Sequence, residues 1–216
     1  MCTDCAPNVA RTLAVAGRVA HPRGMGYPPR IQAPGHWYHV MSNGVDGFDV
    51  FVDEVDRAAF LALVGRELRR SEWTCAAYSL MSTHFHLLIQ LDKPTLSSGM
   101  QHLKSDYTRL FNRRHGRRGT IWQRRFNDVL VETDSHLLEV NRYIALNAPR
   151  AGMCEAPEDH PWCSYGAAVG DYPADPLVAE DEVLGLFSTT PYVARRLLRE
   201  FVEEADPRRR RALAPI

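Results

Sequence analysis

Two histidines separated by one residue carry the strongest chemical signal in the sequence. His84 and His86 flank Phe85 and open an apolar run over residues 87–91 that predicts a buried strand. Side chains two residues apart on a strand share a face, so both imidazoles would project together and Phe85 would enter the opposite layer. Two imidazoles on one face can chelate a divalent cation. The pair is equally compatible with one satisfied core histidine and one histidine that faces solvent.

A tyrosine and an asparagine four residues apart form the second candidate constellation. A helix is predicted from Thr133 through Asn147, and positions i and i+4 share a helix face, so the Tyr143 phenol and the Asn147 amide would point the same way. An amphipathic helix with a half-buried tyrosine explains this spacing as well. If Asn147 supplies its carbonyl oxygen, it forms with His84 and His86 an N,N,O set that suits Mg²⁺ or Mn²⁺, with Zn²⁺ harder to exclude. Tyr143 would then be a candidate covalent nucleophile one helical turn from the ion.

Tyr107 is the rival nucleophile. It shares the apolar face of its predicted helix with Leu103, Leu110 and Phe111. That spacing is typical of a helix face turned toward the core, so we expect Tyr107 to be a core residue.

Residues 104–125 concentrate positive charge in a chain whose formal net charge is zero, and Asp106 is their only acidic residue. The arginines continue through a loop at residues 115–119, where no helix period requires them, and arginine suits phosphate forks. Trp122, Phe126 and Phe111 interleave with them, as on a surface that grips a phosphate backbone and stacks on bases. A solvated helix face with a loop is the alternative interpretation. The predicted DNA-binding residues are Lys104, Arg109, Arg113, Arg114, Arg117, Arg118, Trp122, Arg124 and Arg125.

The elements that must position these residues follow the order β-α-β-β-α-β-α. Four strands with two crossover helices in that order predict an α+β, ferredoxin-like βαββαβ sandwich, followed by an extra helix that carries Tyr143. Two further helical stretches with apolar spacing predict a small C-terminal helical appendage. The predicted strands cover residues 37–42, 73–80, 84–91 and 129–132; the predicted domains are an extended leader (1–27), the main domain (28–170) and the appendage (171–216).

Composition bounds the remaining possibilities. The chain has 216 residues, 45% of them hydrophobic and 24% charged, which is typical of one globular domain with appendages. Equal numbers of basic and acidic residues, 26 each, exclude a uniformly basic nucleic-acid binder but not a locally basic one. Without an apolar run of membrane-spanning length or a signal-peptide core, we expect a cytoplasmic protein with no membrane partner. The five cysteines indicate no disulfide framework, and the Cys2/Cys5 pair lacks the second half of a zinc site.

Three short motifs, taken together, resemble a known family. They are His84-Phe85-His86, the block at residues 122–126 (Trp-Gln-Arg-Arg-Phe) and the Tyr143-Ile144-x-x-Asn147 helix. In order and spacing they resemble the HUH single-strand DNA transposases with one catalytic tyrosine, the insertion sequence 200-like superfamily. Within it they look most like the REP-associated tyrosine transposases. The resemblance covers roughly residues 28–170, and the segments at residues 29–31 and 37–40 are similar to the opening of that family.

The resemblance implies a role for each of these residues. By it, His84, His86 and Asn147 hold Mg²⁺ or Mn²⁺, and Tyr143 attacks a phosphodiester of single-stranded or hairpin DNA. The products would be a 5′-phosphotyrosine link and a free 3′-OH, which the reverse reaction joins to a new end. A catalytically silent DNA-hairpin-binding protein of the same fold is the alternative, and a homodimer stays open. A two-histidine phosphoesterase would need two His-x-Ser/Thr motifs, and a zincin would need HExxH; the chain has neither.

The chain departs from the family pattern at three places. Proline follows Asn147 at position 149, one place later than the Asn-Pro common in the family. Residues 42–44 are Ser-Asn-Gly where the family often has an arginine, and residues 82–83 are Ser-Thr where a proline and an amide or acid are common. The first difference concerns the end of the helix, the second a backbone or DNA contact and the third a turn, so all four predicted catalytic residues are retained.

Overall fold

A computed structural model describes residue 30 and residues 32–205. Four strands form one sheet in the order β2-β3-β1-β4, with every neighbouring pair antiparallel. This is the predicted ferredoxin-like arrangement. The strands are β1 (Trp37–Asn43), β2 (Trp73–Leu80), β3 (His84–Leu91) and β4 (Asn127–Val131). The α-helices are α1 (Glu54–Ser71), α2 (Leu96–Arg114), α3 (Asp134–Ala145), α4 (Asn147–Arg150), α5 (Tyr165–Ala168), α6 (Asp181–Leu184) and α7 (Pro191–Glu204).

Helices α1 and α2 cover the face of the sheet that carries Phe85. Asp53 caps α1, since its carboxylate accepts the Asp56 amide at 3.1 Å. Three aromatic side chains meet beneath the two helices: the Phe60 ring lies 4.8 Å from that of Phe85 and 5.1 Å from that of Tyr107. These rings fill the core on this side of the sheet, which fixes β3 against the two helices.

Helices α3, α6 and α7 pack in the core on the other face of the sheet. Leu88 of β3, Ile144 of α3 and Leu198 of α7 belong to one buried cluster. At its edge the Arg142 guanidinium lies 4.3 Å from the centre of the Phe201 ring. The helix that carries Tyr143 is therefore held between the sheet and the C-terminal helices. The domain boundaries placed at residues 27 and 170 remain predictions, and the leader and the Cys2/Cys5 pair lie outside the described residues.

Three predicted elements differ from the structure, and the first strand ends at Asn43 rather than at residue 42. The helix predicted to run through Asn147 ends at Ala145, and Asn147 begins the short helix α4. Pro149 has no N–H to donate to the Ala145 carbonyl, so the helical ladder breaks there. The fourth strand covers Asn127–Val131 rather than residues 129–132, because pairing with β1 extends it back to Asn127.

None of the helices within the described residues is long and apolar enough to cross a membrane.

Candidate active site

The alternation of β3 places both predicted histidine ligands on one face. Phe85 is fully buried on the opposite side, and the His84 and His86 rings lie 5.0 Å apart at nearly a right angle. His86 is 2% exposed, whereas His84 is half-buried at the edge of the site. The predicted pairing of the two imidazoles is therefore present, with one ring accessible from outside.

The Nδ1 atom of each histidine contacts a residue outside the pair. The Thr83 hydroxyl lies 3.0 Å from His84 Nδ1, and His39 Nε2 lies 2.9 Å from His86 Nδ1. On the opposite side of the His86 ring, the Asn147 amide nitrogen lies 2.8 Å from Nε2. The same amide hydrogen-bonds with His84. Asn147 therefore bridges the two imidazoles that the sequence predicted as its partners.

Burial favours the neutral form of the three imidazoles. It lowers the pKa of His84, an effect that the hydrogen bond with Asn147 partly offsets. Burial, together with His39 and His84, lowers the pKa of His86 well below its usual value. The pKa of His39 falls to about 4, mainly through burial and also through His136. A neutral imidazole is the form that can ligate a metal ion.

The donor set fits a hard divalent cation. The 2.8 Å between His86 Nε2 and the Asn147 amide nitrogen is close to the roughly 3 Å that separates adjacent ligands of an octahedral ion with bonds of about 2.1 Å. A half-turn of the amide brings its oxygen to that position. Within residues 32–205 no group of three or more His, Cys, Asp or Glu side chains is arranged to hold a metal. His84, His86 and Asn147 do not form such a group, because the third residue is an amide and not one of these four types.

Tyr143 lies against the same histidines. Its half-buried ring stands edge-on to His86 at 5.5 Å and to His39 at 5.7 Å. Tyr143 and Asn147 thus face the same site even though Asn147 lies beyond the end of α3. The structure brings together all four residues that the sequence predicted as catalytic or metal-binding.

Tyr107, the rival nucleophile, lies on the opposite face of the sheet. It is fully buried, and its hydroxyl donates to the Val50 carbonyl at 2.6 Å. Burial, and next Asp56, raise the pKa of its phenol. Its surroundings are those of a core residue, as expected.

The predicted basic segment borders the site. Asn43 pairs with His84 across β1 and β3, and the carbonyl of Asn43 accepts the Gln123 amide at 3.0 Å. Lys104, Arg109 and Arg124 line an open groove of about 420 Å³ between α2 and the loop that follows it. The side chains of Arg113, Arg118 and Arg124 are exposed and make no hydrogen bond or ion pair within residues 32–205. Two other arginines of the segment have partners: Arg117 lies over the Phe48 ring and Arg109 pairs with Asp106. Arg125 is exposed.

The aromatic side chains of this segment are buried rather than exposed, which corrects the expectation that they stack on bases. Trp122 is 6% exposed, Phe126 5% and Phe111 0%. The Trp122 ring packs edge-on against Phe85 at 5.6 Å, and its indole N–H donates to the Lys104 carbonyl. Since α2 and β3 both contact the ring, the face that a base would need is covered.

Arg114 also differs from an exposed DNA contact. Its guanidinium bonds the carboxylates of Asp53, at 2.5 Å, and Asp56, at 2.6 Å. Arg114 lowers the pKa of Asp53 through this bond. The residue therefore ties the end of α2 to the start of α1, and its charge is already paired.

Sequence reasoning missed His39 and Thr83 as members of the site. Thr83 directly precedes the histidine pair and was interpreted only as part of a turn. His39 stands in a strand whose neighbours Tyr38 and Val40 are apolar, so a polar side chain at an alternate position was the available signal. Its contact with His86 depends on the register of β1 beside β3, which the sequence does not specify.

Comparisons with known proteins agree with one another. The family model described as "Transposase IS200 like" matches residues 33–147. A candidate REP-associated tyrosine transposase of Haemophilus influenzae is 31% identical over 100 residues, which cover 41% of this chain and 57% of that protein. The solved structure of a REP-associated tyrosine transposase bound to a REP hairpin superposes with a TM-score of 0.56 at 20% identity, covering 69% of this chain and 89% of that one. The match to the solved structure is a likeness of fold, and the chain spans little more than half of the curated relative.

Proposed function

Because the chain belongs to the IS200-like transposase family, we propose that it cuts and rejoins single-stranded DNA through a covalent link to Tyr143. The observation that carries this proposal is the meeting of Tyr143 with His84, His86 and Asn147 at one end of the sheet. The Tyr143 ring lies 5.5 Å from that of His86, and Asn147 contacts both histidines. A nucleophile beside a set of metal ligands is the arrangement that phosphoryl transfer requires.

Mg²⁺ or Mn²⁺ is the cation we propose for His84, His86 and Asn147. Bound there, the ion would neutralise charge on the scissile phosphate and polarise it. The burial of His86 keeps that ligand neutral and excludes water from one side of the site. The half-buried His84 leaves the other side open, where a phosphodiester can enter.

Tyr143 would supply the covalent step. Its phenolic oxygen forms a bond to phosphorus while the bond from phosphorus to the 3′-oxygen breaks, and the phenolic proton ends on that oxygen. The contacts with His39 and His86 orient the ring for this attack. Because the 5′-phosphotyrosine bond retains the free energy of the phosphodiester, a new 3′-OH can reverse the step without ATP.

A hairpin in the single strand is the substrate that the surroundings of the site favour. The exposed side chains of Arg113, Arg118 and Arg124 can each contact backbone phosphates. The Asn43–Gln123 hydrogen bond keeps the basic loop one strand away from His84. The solved relative is bound to a REP hairpin. We propose the same class of ligand for this chain.

The test uses a labelled single-stranded oligonucleotide that contains a hairpin from DNA flanking the gene of this protein. Wild-type protein with Mg²⁺ or Mn²⁺ should form a DNA adduct that survives denaturing electrophoresis, and a chelator should abolish it. Mass spectrometry should locate the nucleotide on the peptide that contains Tyr143. Tyr143→Phe is the matched control, since it keeps the ring and removes the nucleophile.

Two outcomes would contradict this function. Hairpin binding without cleavage or adduct, with either ion and across several hairpins from this DNA, would identify a silent binding protein of the same fold. Cleavage that continues in Tyr143→Phe would require a different nucleophile.

A further inference from the structure

His39 lies behind the histidine pair and is completely shielded from solvent. It stands on β1 with its ring stacked on His86, the centroids 5.1 Å apart and the planes at 27°. Its Nε2 lies 2.9 Å from His86 Nδ1. An apolar side chain would fill this space without burying a polar ring, so the imidazole is an unfavourable choice for packing alone.

The contact with Asn147 shows which nitrogen of His86 carries the proton. The amide nitrogen of Asn147 can only donate, so His86 Nε2, 2.8 Å away, accepts and is unprotonated. A neutral imidazole has one N–H, which in His86 must then be on Nδ1. That proton points at His39 Nε2, which accepts it. His39 consequently carries its own proton on Nδ1.

The proton on His39 has no partner. His39 Nδ1 is buried and makes no hydrogen bond within the described residues. An unpaired buried N–H is unfavourable, and such groups in native proteins call for an explanation. A local violation of this kind is expected where a residue serves a site rather than the stability of the fold.

We propose that His39 is a positioning residue for the metal ligand His86. It accepts the Nδ1 proton of His86, which fixes the tautomer whose Nε2 lone pair is free and orients that lone pair toward the cation. The proposal rests on the metal site proposed above. Histidine ligands commonly donate their other N–H to such an outer acceptor, and its loss weakens metal binding. Thr83 lies in the equivalent place behind His84, but its hydroxyl both donates and accepts and therefore selects no tautomer.

Metal affinity of the full chain tests the role of His39. Titration of Mn²⁺ against each protein, followed by the electron paramagnetic resonance signal of the free ion, gives the dissociation constant without DNA or turnover. We expect His39→Phe, which has no acceptor, to bind Mn²⁺ about 10- to 100-fold more weakly. His39→Gln places an amide oxygen near the position of Nε2 and should stay within about threefold of wild type. His39→Asn is the matched control, because the same amide on a side chain shorter by one methylene cannot reach His86.

A second measurement separates positioning from packing. In ¹⁵N spectra of histidine-labelled wild-type protein, His86 should have a protonated Nδ1 and an unprotonated Nε2, with a ¹⁵N–¹⁵N coupling to His39 across the hydrogen bond. In His39→Phe, where Nδ1 has no acceptor, the proton of His86 should move toward Nε2 as the Asn147 amide turns its oxygen to accept it. A packing defect alone would lower the melting temperature of the variant without changing the tautomer of His86.

The outcomes are distinguishable. Wild-type protein that binds no Mn²⁺ would overturn the metal site itself. Wild-type binding with unchanged affinity in His39→Phe would overturn only the role of His39, and so would a wild-type His86 protonated on Nε2. Thermal unfolding identifies any variant that fails to fold, and in that case the wild-type spectra decide the tautomer.

Discussion

Tyr107 and Tyr143 present the same phenol to the two faces of one sheet, and their neighbours give the two side chains different chemistry. Tyr107 is enclosed by aromatic rings, and its hydroxyl is used by the Val50 carbonyl. Tyr143 is half-buried, and its ring lies against His39 and His86. The face of the sheet, rather than the type of residue, therefore sets the surroundings of each phenol.

The two faces differ in how their polar groups are satisfied. On the α1/α2 side the buried hydroxyl of Tyr107 ends in one hydrogen bond to the backbone. On the α3 side a chain of side-chain contacts runs from His39 through His86 to Asn147. In the second arrangement the hydrogen-bond partner of His86 Nε2 can be replaced by an ion, because the amide of Asn147 can turn.

Replacing each tyrosine with phenylalanine should give the greatest difference between the two faces of the sheet. Tyr143→Phe should lower the yield of covalent DNA adduct by at least about 10³-fold, since no nucleophile remains. Tyr107→Phe should keep the adduct but lower the free energy of unfolding by about 1–2 kcal/mol, because the buried Val50 carbonyl loses its donor. Denaturing electrophoresis and urea unfolding measure the two effects. An adduct that persists in Tyr143→Phe and disappears in Tyr107→Phe would reverse the assignment.

Removing a proposed ligand tests the α3 face directly. His84→Ala should weaken Mn²⁺ binding by at least about 100-fold, more than the loss of an outer hydrogen-bond partner. Gln90→Ala is the control, because Gln90 shares the face of β3 with His84 but lies near its far end. Calorimetric titration of both variants provides the comparison. Equal affinities in His84→Ala and wild type would remove this histidine from the metal site.

Acid should destabilise the metal-free protein through its buried histidines. The pKa of His39 is about 4 in the folded chain, against 6.5 for an unperturbed histidine. The unfolded chain therefore binds more protons between these values, so the contribution of His39 to stability is complete above pH 6.5 and declines as the pH falls toward 4. From pH 7 to 4.5 we expect wild type to lose about 2–3 kcal/mol more unfolding free energy than His39→Phe, which lacks this titration.

Urea unfolding with a chelator present, at several pH values, measures this difference. The chelator is needed because a bound cation would compete with protons for His86. If the unfolding free energies of wild type and His39→Phe fell in parallel as the pH is lowered, folding would not lower the pKa of His39, and the prediction would be wrong.

Two arginines of the basic segment provide the smallest and most specific contrast. Arg118 is exposed and has no side-chain partner within the described residues, whereas Arg114 is paired with Asp53 and Asp56. Arg118→Ala should reduce the slope of log affinity against log salt by about 0.7 for single-stranded DNA, if it contacts one phosphate. Arg114→Ala should leave the slope unchanged and lower the melting temperature. Fluorescence anisotropy at several salt concentrations measures the slope, and thermal unfolding measures the melting temperature. A changed slope in Arg114→Ala alone would make Arg114, rather than Arg118, the DNA contact.

The features that depend on local backbone geometry could be predicted from the sequence. The period of a strand placed His84 and His86 on one face and Phe85 on the other, and the order of elements predicted the sheet. The spacing of Tyr143 and Asn147 put them on one side, and this held although α3 ends at Ala145, since α4 continues the turn. Each of these features follows from residues a few positions apart.

The residues that complete the site from distant parts of the chain could not be predicted from the sequence. His39 reaches His86 because β1 lies beside β3 in one particular register. Trp122 is buried, rather than exposed for stacking, because α2 and β3 close over it. Arg114 has a paired charge because α1 begins where α2 ends. Register and helix packing depend on many side chains at once, whereas periodicity depends on the backbone alone. The sequence therefore predicted the candidate ligands and the candidate nucleophile but not His39 behind them.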